Sequence, residues 1–173
     1  MNMIGLTTRA LRAGAFGLVA GLVAGVVAGC VVVDRTRPPP RPREVSPDRL
    51  VLSVTNPVDT DADGANDAMR ASVYLFDNDY DLSIASPGSM TFRLSAGERG
   101  VVYEWPFEPL AMRGRRQRSA VGDVYVFDLR MDRSVAGWLA RTRPAGSVEL
   151  RATFRSSGAG EPVAGVYPIA QWR

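Results

Sequence analysis

The sequence predicts a mainly β protein whose globular part, residues 48–173, is a β-sandwich of about seven strands with one or two short helices. Three observations support this prediction. Apolar residues in this region recur at a period of two, which is typical of strands with one buried face. Seven separate segments show the alternation. The region is also long enough to bury the core between two sheets.

The strands are predicted from the residues that would share an inward face in each segment. In chain order these are Leu50, Leu52 and Val54; Met69, Ala71, Val73 and Leu75; Met90, Phe92 and Leu94; Val101, Tyr103 and Trp105; Tyr125, Phe127, Leu129 and Met131; Val148, Leu150, Ala152 and Phe154; and a closing run over residues 163–169.

Two connections carry helical signals. Residues 109–118 predict one helical turn, and Asp132 is suited to cap a short helix that presents Val135, Trp138 and Leu139.

The size of the region is close to that of an immunoglobulin-like or fibronectin-like unit, and we expect this architecture. The chain has one cysteine, so the Cys-Trp-Cys pattern of true immunoglobulins is missing and the strand topology stays open.

The amino terminus predicts a targeting segment, because residues 13–33 contain no charge and follow Arg9 and Arg12. The segment includes Val27, Ala28, Gly29 and Cys30, a run that resembles the lipobox of bacterial lipoproteins. The resemblance implies that residues 1–29 are a signal peptide and that Cys30 carries lipid at the mature amino terminus. It also implies a cell-envelope protein, sorted to the outer membrane because valine rather than aspartate follows Cys30.

Two other interpretations of this segment remain open. As an uncleaved helix, 21 apolar residues would span about 30 Å of hydrocarbon. Glycines recur every fourth residue from Gly17 to Gly29, the spacing of close-packed transmembrane helices. Alternatively, Val26 and Ala28 suit ordinary signal peptidase, which would release a soluble protein.

Residues 30–47 predict a tether between the lipidated cysteine and the domain. Five prolines alternate with arginines here, and few side chains can pack. Proline favours the extended polyproline II form at about 3.1 Å per residue, so the tether would reach roughly 50 Å from the bilayer. A plain spacer and a segment that docks on anionic head groups are both compatible with this composition.

The motif of the domain that most clearly offers metal ligands is an aspartate-rich loop between the first two predicted strands. Residues 59–67 read Asp-Thr-Asp-Ala-Asp-Gly-Ala-Asn-Asp. Carboxylates at alternate positions of a tight loop point inward together, and glycine permits the sharp turn, as in calcium loops. The motif resembles thrombospondin type 3 repeats and, more loosely, EF-hand and dockerin loops. The resemblance implies side-chain ligands from Asp59, Asp61, Asp63 and Asp67 and a carbonyl ligand from Ala65.

The resemblance ends at Arg70, which stands where an EF-hand loop has its bidentate glutamate, so a calcium switch is not expected. The alternative interpretation is an ordinary acidic turn, since Asp, Asn and Gly are common turn residues. A second acidic run, residues 77–81, is expected to form a hairpin turn. It follows a strand of about nine residues, so the two runs are expected at opposite ends of that strand.

Composition excludes several catalytic mechanisms. The chain has 21 Lys+Arg, all of them Arg, 18 Asp+Glu and no His. A histidine base, a His-ligated zinc ion and a Schiff-base lysine are therefore excluded, and Cys30 is assigned to lipid. Glu104 and Glu108 flank Trp105 and could form a carboxylate pair beside a sugar-stacking ring, although Trp105 also fits the core.

A basic cluster lies in a later connection. Arg113, Arg115, Arg116 and Arg118 could meet phosphate-bearing lipid or polysaccharide, or form a solvated loop. No aromatic motif interleaves them, and nucleic acid is not expected.

The expected protein is a lipid-anchored envelope lipoprotein whose calcium-stabilised β-sandwich binds or scaffolds an envelope protein or polysaccharide and is not an enzyme. Two alternatives stay open. One is an envelope glycan hydrolase using Glu104 and Glu108, and the other is a structural subunit of an envelope complex.

Overall fold

Two β-sheets form the domain in the computed structural model, which describes residues 46–142, 148–158, 160–170 and 172. Nine strands and two α-helices lie within these residues. Their bounds are β1 Arg49–Val54, β2 Ala68–Asp77, β3 Tyr80–Ile84, β4 Gly88–Ala96, β5 Val101–Phe107, α1 Pro109–Arg113, β6 Arg116–Ser119, β7 Gly122–Arg130, α2 Arg133–Thr142, β8 Val148–Ser156 and β9 Val163–Ile169.

One sheet has five strands in the order β1-β2-β3-β7-β6, with β2 also paired to β7, and the other has the order β5-β4-β8-β9. Neighbouring strands are antiparallel, except that β3 meets β7 in parallel at Ser83 and Gly122. The predicted β-sandwich class is therefore confirmed.

The core lies between the sheets, because alternate residues of each strand face inward. Phe92 of β4 and Phe127 of β7 come from different sheets, and their rings lie edge to face with centroids 4.9 Å apart. Phe107 of β5 packs on Phe127 with its centroid at 4.7 Å. Aromatic rings thus join the two sheets at the centre of the domain.

The sequence prediction missed two strands. Strand β3 is five residues long, and β6 is four residues long and mostly exposed. Neither contains a run of alternating buried residues long enough to identify a strand. Because β6 begins at Arg116, the predicted helical turn over 109–118 is limited to α1, and Arg116 and Arg118 lie on a strand rather than in a connection.

Val101 was expected to share the buried face of Trp105, and this prediction is wrong. Val101 is 54% exposed and Trp105 is 8% exposed. The register changes between Leu94 and Ser95, which pair with Tyr103 and Val101 respectively, so one residue of β5 is left over as a bulge. The bulge reverses the alternation and turns Val101 to solvent.

Helix α2 begins directly after Asp132, as predicted, and its buried residues are Ala136 and Leu139.

The predicted signal peptide, Cys30 and nearly all of the tether lie outside the described residues. In the described part of the chain, no helix has the length and apolar character needed to cross a bilayer.

Candidate metal centre

The aspartate-rich loop connects β1 to β2 and is anchored at its base to the sheet. Val58 and Ala68 form an isolated bridge, with the Val58 amide donating to the Ala68 carbonyl at 2.8 Å. The Met131 amide, just after β7, donates to the Asp67 carbonyl at 2.8 Å. The loop therefore leaves the sheet from a fixed base.

Inside the loop, carboxylates accept hydrogen bonds from the loop's own backbone. Asp59 Oδ2 accepts from the Gly64 amide at 2.8 Å, and Asp63 Oδ1 accepts from the Ala65 amide at 3.0 Å. The turn takes Ala62 to φ 59° and Gly64 to φ 87°. A left-handed alanine is unfavourable by about 1–2 kcal/mol, so the loop is held in a conformation that an isolated chain would avoid.

This conformation brings three of the predicted residues together. Asp59, Asp61 and Asp63 are exposed, and one carboxylate oxygen from each lies within 4.8 Å of the others. Calcium binds oxygen ligands at about 2.4 Å, so two ligands of one ion are separated by at most about 5 Å. The three carboxylates are thus close enough to hold one metal ion together.

The other two predicted ligands are placed differently. Asp67 accepts hydrogen bonds from the Thr60 amide at 2.8 Å and from the Thr60 hydroxyl at 2.7 Å. Asp67 therefore stabilises the loop and does not belong to the cluster of Asp59, Asp61 and Asp63. Ala65, within the loop, is 6% exposed. Ligation by Asp67 or by the Ala65 carbonyl stays a prediction.

Arg133, a residue that the sequence did not indicate, supplies positive charge beside Asp61 and Asp63. Arg133, the first residue of α2, forms an ion pair with Asp61 through Nη2 and with Asp63 Oδ2 through Nε at 3.2 Å. The hydrogen bond from Arg133 lowers the pKa of Asp61 below its ordinary value, and the pKa of Arg133 is correspondingly raised. No local pattern links Arg133 to a loop about seventy residues earlier.

The second acidic run lies at the far end of β2 from the loop, as expected. It forms the turn into β3, where the Asp79 amide donates to Asp77 Oδ1 at 2.9 Å. The Asn78 amide donates to Asp48 Oδ2 at 2.9 Å. These carboxylates stabilise the turn.

The arginines of the predicted basic cluster have separate surroundings. Arg116 and Arg118 pair with Asp123, at 3.0 and 3.7 Å, and Asp123 is 4% exposed. Arg115 instead lies near Asp128, and its charge contributes to the lowered pKa of that carboxyl group, after the larger contribution of Arg70. These three arginines are therefore divided between two aspartates, and the fourth, Arg113, is the last residue of α1.

Glu104 and Glu108 do not flank an exposed tryptophan. Glu104 pairs with Arg93 Nε at 2.7 Å, and Glu108 immediately precedes α1. Trp105 belongs to the core, and its indole Nε1 donates to the Arg130 carbonyl. A sugar ring therefore has no access to the face of this tryptophan.

In comparisons with known proteins, this chain matched no family model, no curated protein and no solved structure.

Proposed function

We propose that this protein is a lipid-anchored module of the bacterial cell envelope, on the outer membrane, whose aspartate loop binds calcium. The observation that carries the metal proposal is the convergence of Asp59, Asp61 and Asp63 within 4.8 Å. The lipid anchor is supported by the sequence around Cys30, where a charged start, an apolar stretch and small residues precede the only cysteine.

Calcium is the cation that best fits the donors. All three side chains offer carboxylate oxygens, which are the ligands of hard cations, and the loop has no histidine or cysteine for a softer metal. The loop is also exposed, so an ion can keep water molecules as its remaining ligands. Magnesium demands near-ideal octahedral geometry and gives up its water ligands reluctantly. A loop with three carboxylates therefore favours calcium over magnesium.

Calcium would compete with Arg133 at the loop. The guanidinium bonds to one oxygen each of Asp61 and Asp63, two of the three carboxylates that the ion would use. The Arg133 side chain is 74% exposed, so solvent weakens this ion pair. A divalent ion that gathers three carboxylates can therefore displace the guanidinium at modest cost.

Within the envelope, we propose that the domain binds or scaffolds another envelope component and does not catalyse a reaction. Glu104 is paired with Arg93 and Trp105 is in the core, so a sugar ring cannot stack on this tryptophan beside the two acids. A peptidoglycan or polysaccharide digest by the purified protein should show no turnover. Turnover that Glu104→Gln and Glu108→Gln both abolish would support the hydrolase instead.

Thermal melting in millimolar calcium and in chelator tests the metal proposal. An ion that binds only the folded loop stabilises by about 2.7 kcal/mol at a hundredfold excess over Kd, or on the order of 10 °C for a domain of this size. Asp61→Asn should remove this difference between the two buffers. Asp79→Asn, an exposed aspartate in the turn at the other end of β2, is the matched control and should retain it. Equal melting of the wild type in both buffers would make the loop an ordinary acidic turn.

A further inference from the structure

A cleft of about 350 Å³ lies on the exposed face of the five-stranded sheet, beside the base of the aspartate loop. Two pairs of residues that face each other on neighbouring strands line it. In one pair, Arg70 of β2 stands opposite Asp128 of β7, and in the other, Ala68 stands opposite Arg130. The cleft exists because the small side chain of Ala68 lies between Val58 and Arg130, which are both larger.

The wall of the cleft carries more positive than negative charge. Arg70 donates from Nε to Asp128 Oδ1 at 2.8 Å. Arg130 is exposed and lies two residues beyond Asp128 on the same face of β7. The hydrogen bond from Arg70, followed by the charges of Arg115 and Arg130, lowers the pKa of Asp128. Arg70 and Arg130 thus place two guanidinium groups and one carboxylate on the cleft wall.

Most of this donor capacity is unused within the described part of the chain. The bond to Asp128 occupies Nε of Arg70, and the terminal nitrogens of Arg70 and the guanidinium of Arg130 form no hydrogen bond with a described residue. Guanidinium groups present parallel N–H donors that match the oxygens of a carboxylate or phosphate. Val58, which is 52% exposed, adds an apolar wall beside these donors.

We propose that this cleft binds a carboxylate or phosphate group carried on a molecule about the size of one sugar unit. The volume is at the small end of ligand clefts in proteins, and one side of the cleft is open, so the unit can be free or part of an acidic polysaccharide. Arg130 and Arg70 bind the oxyanion, and Arg115 strengthens the local positive potential. This inference rests on the proposed binding role of the domain and names its ligand class.

Calorimetric titration of the full chain, purified in detergent, stripped of calcium and then dialysed free of chelator into metal-free buffer, tests this proposal independently of calcium. The probes are glucuronate, inorganic phosphate and glucose. We expect saturable binding of glucuronate, phosphate or both, and none of glucose. The anion that binds more tightly identifies the preferred oxyanion.

Arg130→Gln should weaken anion binding at least tenfold. Arg155→Gln, an exposed arginine on β8 of the other sheet, is the matched control and should leave it unchanged. If Arg130→Gln lowers the melting temperature, Arg115→Gln provides the second variant and should also weaken binding. Glucose binding as tight as glucuronate binding, no saturation with either anion, or full affinity in both Arg130→Gln and Arg115→Gln would overturn the proposal.

Discussion

Gly122 is a residue at which the domain tolerates substitution poorly. It adopts φ 111°, and an added Cβ would overlap the backbone of Ser83 on β3. Ser83 is itself fixed there, since its amide donates to the Val121 carbonyl and its hydroxyl contacts the Asp123 carbonyl at 2.7 Å. The parallel contact between β3 and β7 therefore depends on the missing side chain.

We predict that Gly122→Ala lowers the free energy of unfolding by at least about 2 kcal/mol, since backbone strain and steric overlap act together. Gly114→Ala is the control. Gly114 has φ −75°, and the atom nearest to an added Cβ would be a carbonyl oxygen at 3.9 Å, so the change should be neutral or stabilise by about 0.5 kcal/mol. Urea denaturation of both variants measures the difference, and equal stabilities would contradict the steric explanation.

At the scale of elements, the ion pairs of Arg133 connect the aspartate loop to the first turn of α2. The connection requires Asp61 to be ionised. The pKa of Asp61 is lowered from 3.8 in the folded chain by the hydrogen bond to Arg133. Its contribution to stability is therefore complete above the unfolded pKa and is lost as pH falls through the lower, folded pKa.

We predict that the Asp61 carboxyl titrates below pH 3.8 in chelator and that Arg133→Gln raises this midpoint towards the ordinary value. The same substitution should increase calcium affinity several-fold, because it removes the group that competes for Asp61 and Asp63. Carboxyl carbon NMR measures the midpoint, and calcium titration measures the affinity. An unchanged midpoint in Arg133→Gln would show that the pair does not persist in solution.

Most elements could be predicted from the sequence because their inward residues alternate over several positions. Strands β3 and β6 could not, since they are short and carry few buried residues. The reversal at Val101 could not be predicted either, because a bulge depends on the register with β4. Alternation specifies which face of a strand is buried only as long as the pairing is regular.

The candidate site was predicted in part for a similar reason. Asp59, Asp61 and Asp63 lie in one loop, so their spacing alone indicated their convergence. Arg133 reaches them, and Arg70 of β2 meets Asp128 and Arg130 of β7, only after the tertiary structure has formed. Charges that are distant in sequence meet through tertiary structure, which spacing does not encode.

At the scale of the whole molecule, we predict that Cys30 is processed and lipidated. Cys30→Ser should accumulate as an unprocessed precursor, because serine cannot take the thioether-linked lipid. Labelling of cells with an alkyne fatty acid, followed by fractionation of inner and outer membranes, measures both modification and location. Wild-type protein that takes up no label would show that Cys30 is not lipidated.

Calcium binding by the loop of residues 59–67 can be measured by calorimetric titration of the full chain with calcium. We predict one saturable site per chain in the wild type and in Asp79→Asn, and loss of that site in Asp61→Asn, since Asp61 is one of the three converging carboxylates. Absence of saturable heat in the wild type, or an unchanged site in Asp61→Asn, would show that these carboxylates do not form a calcium site.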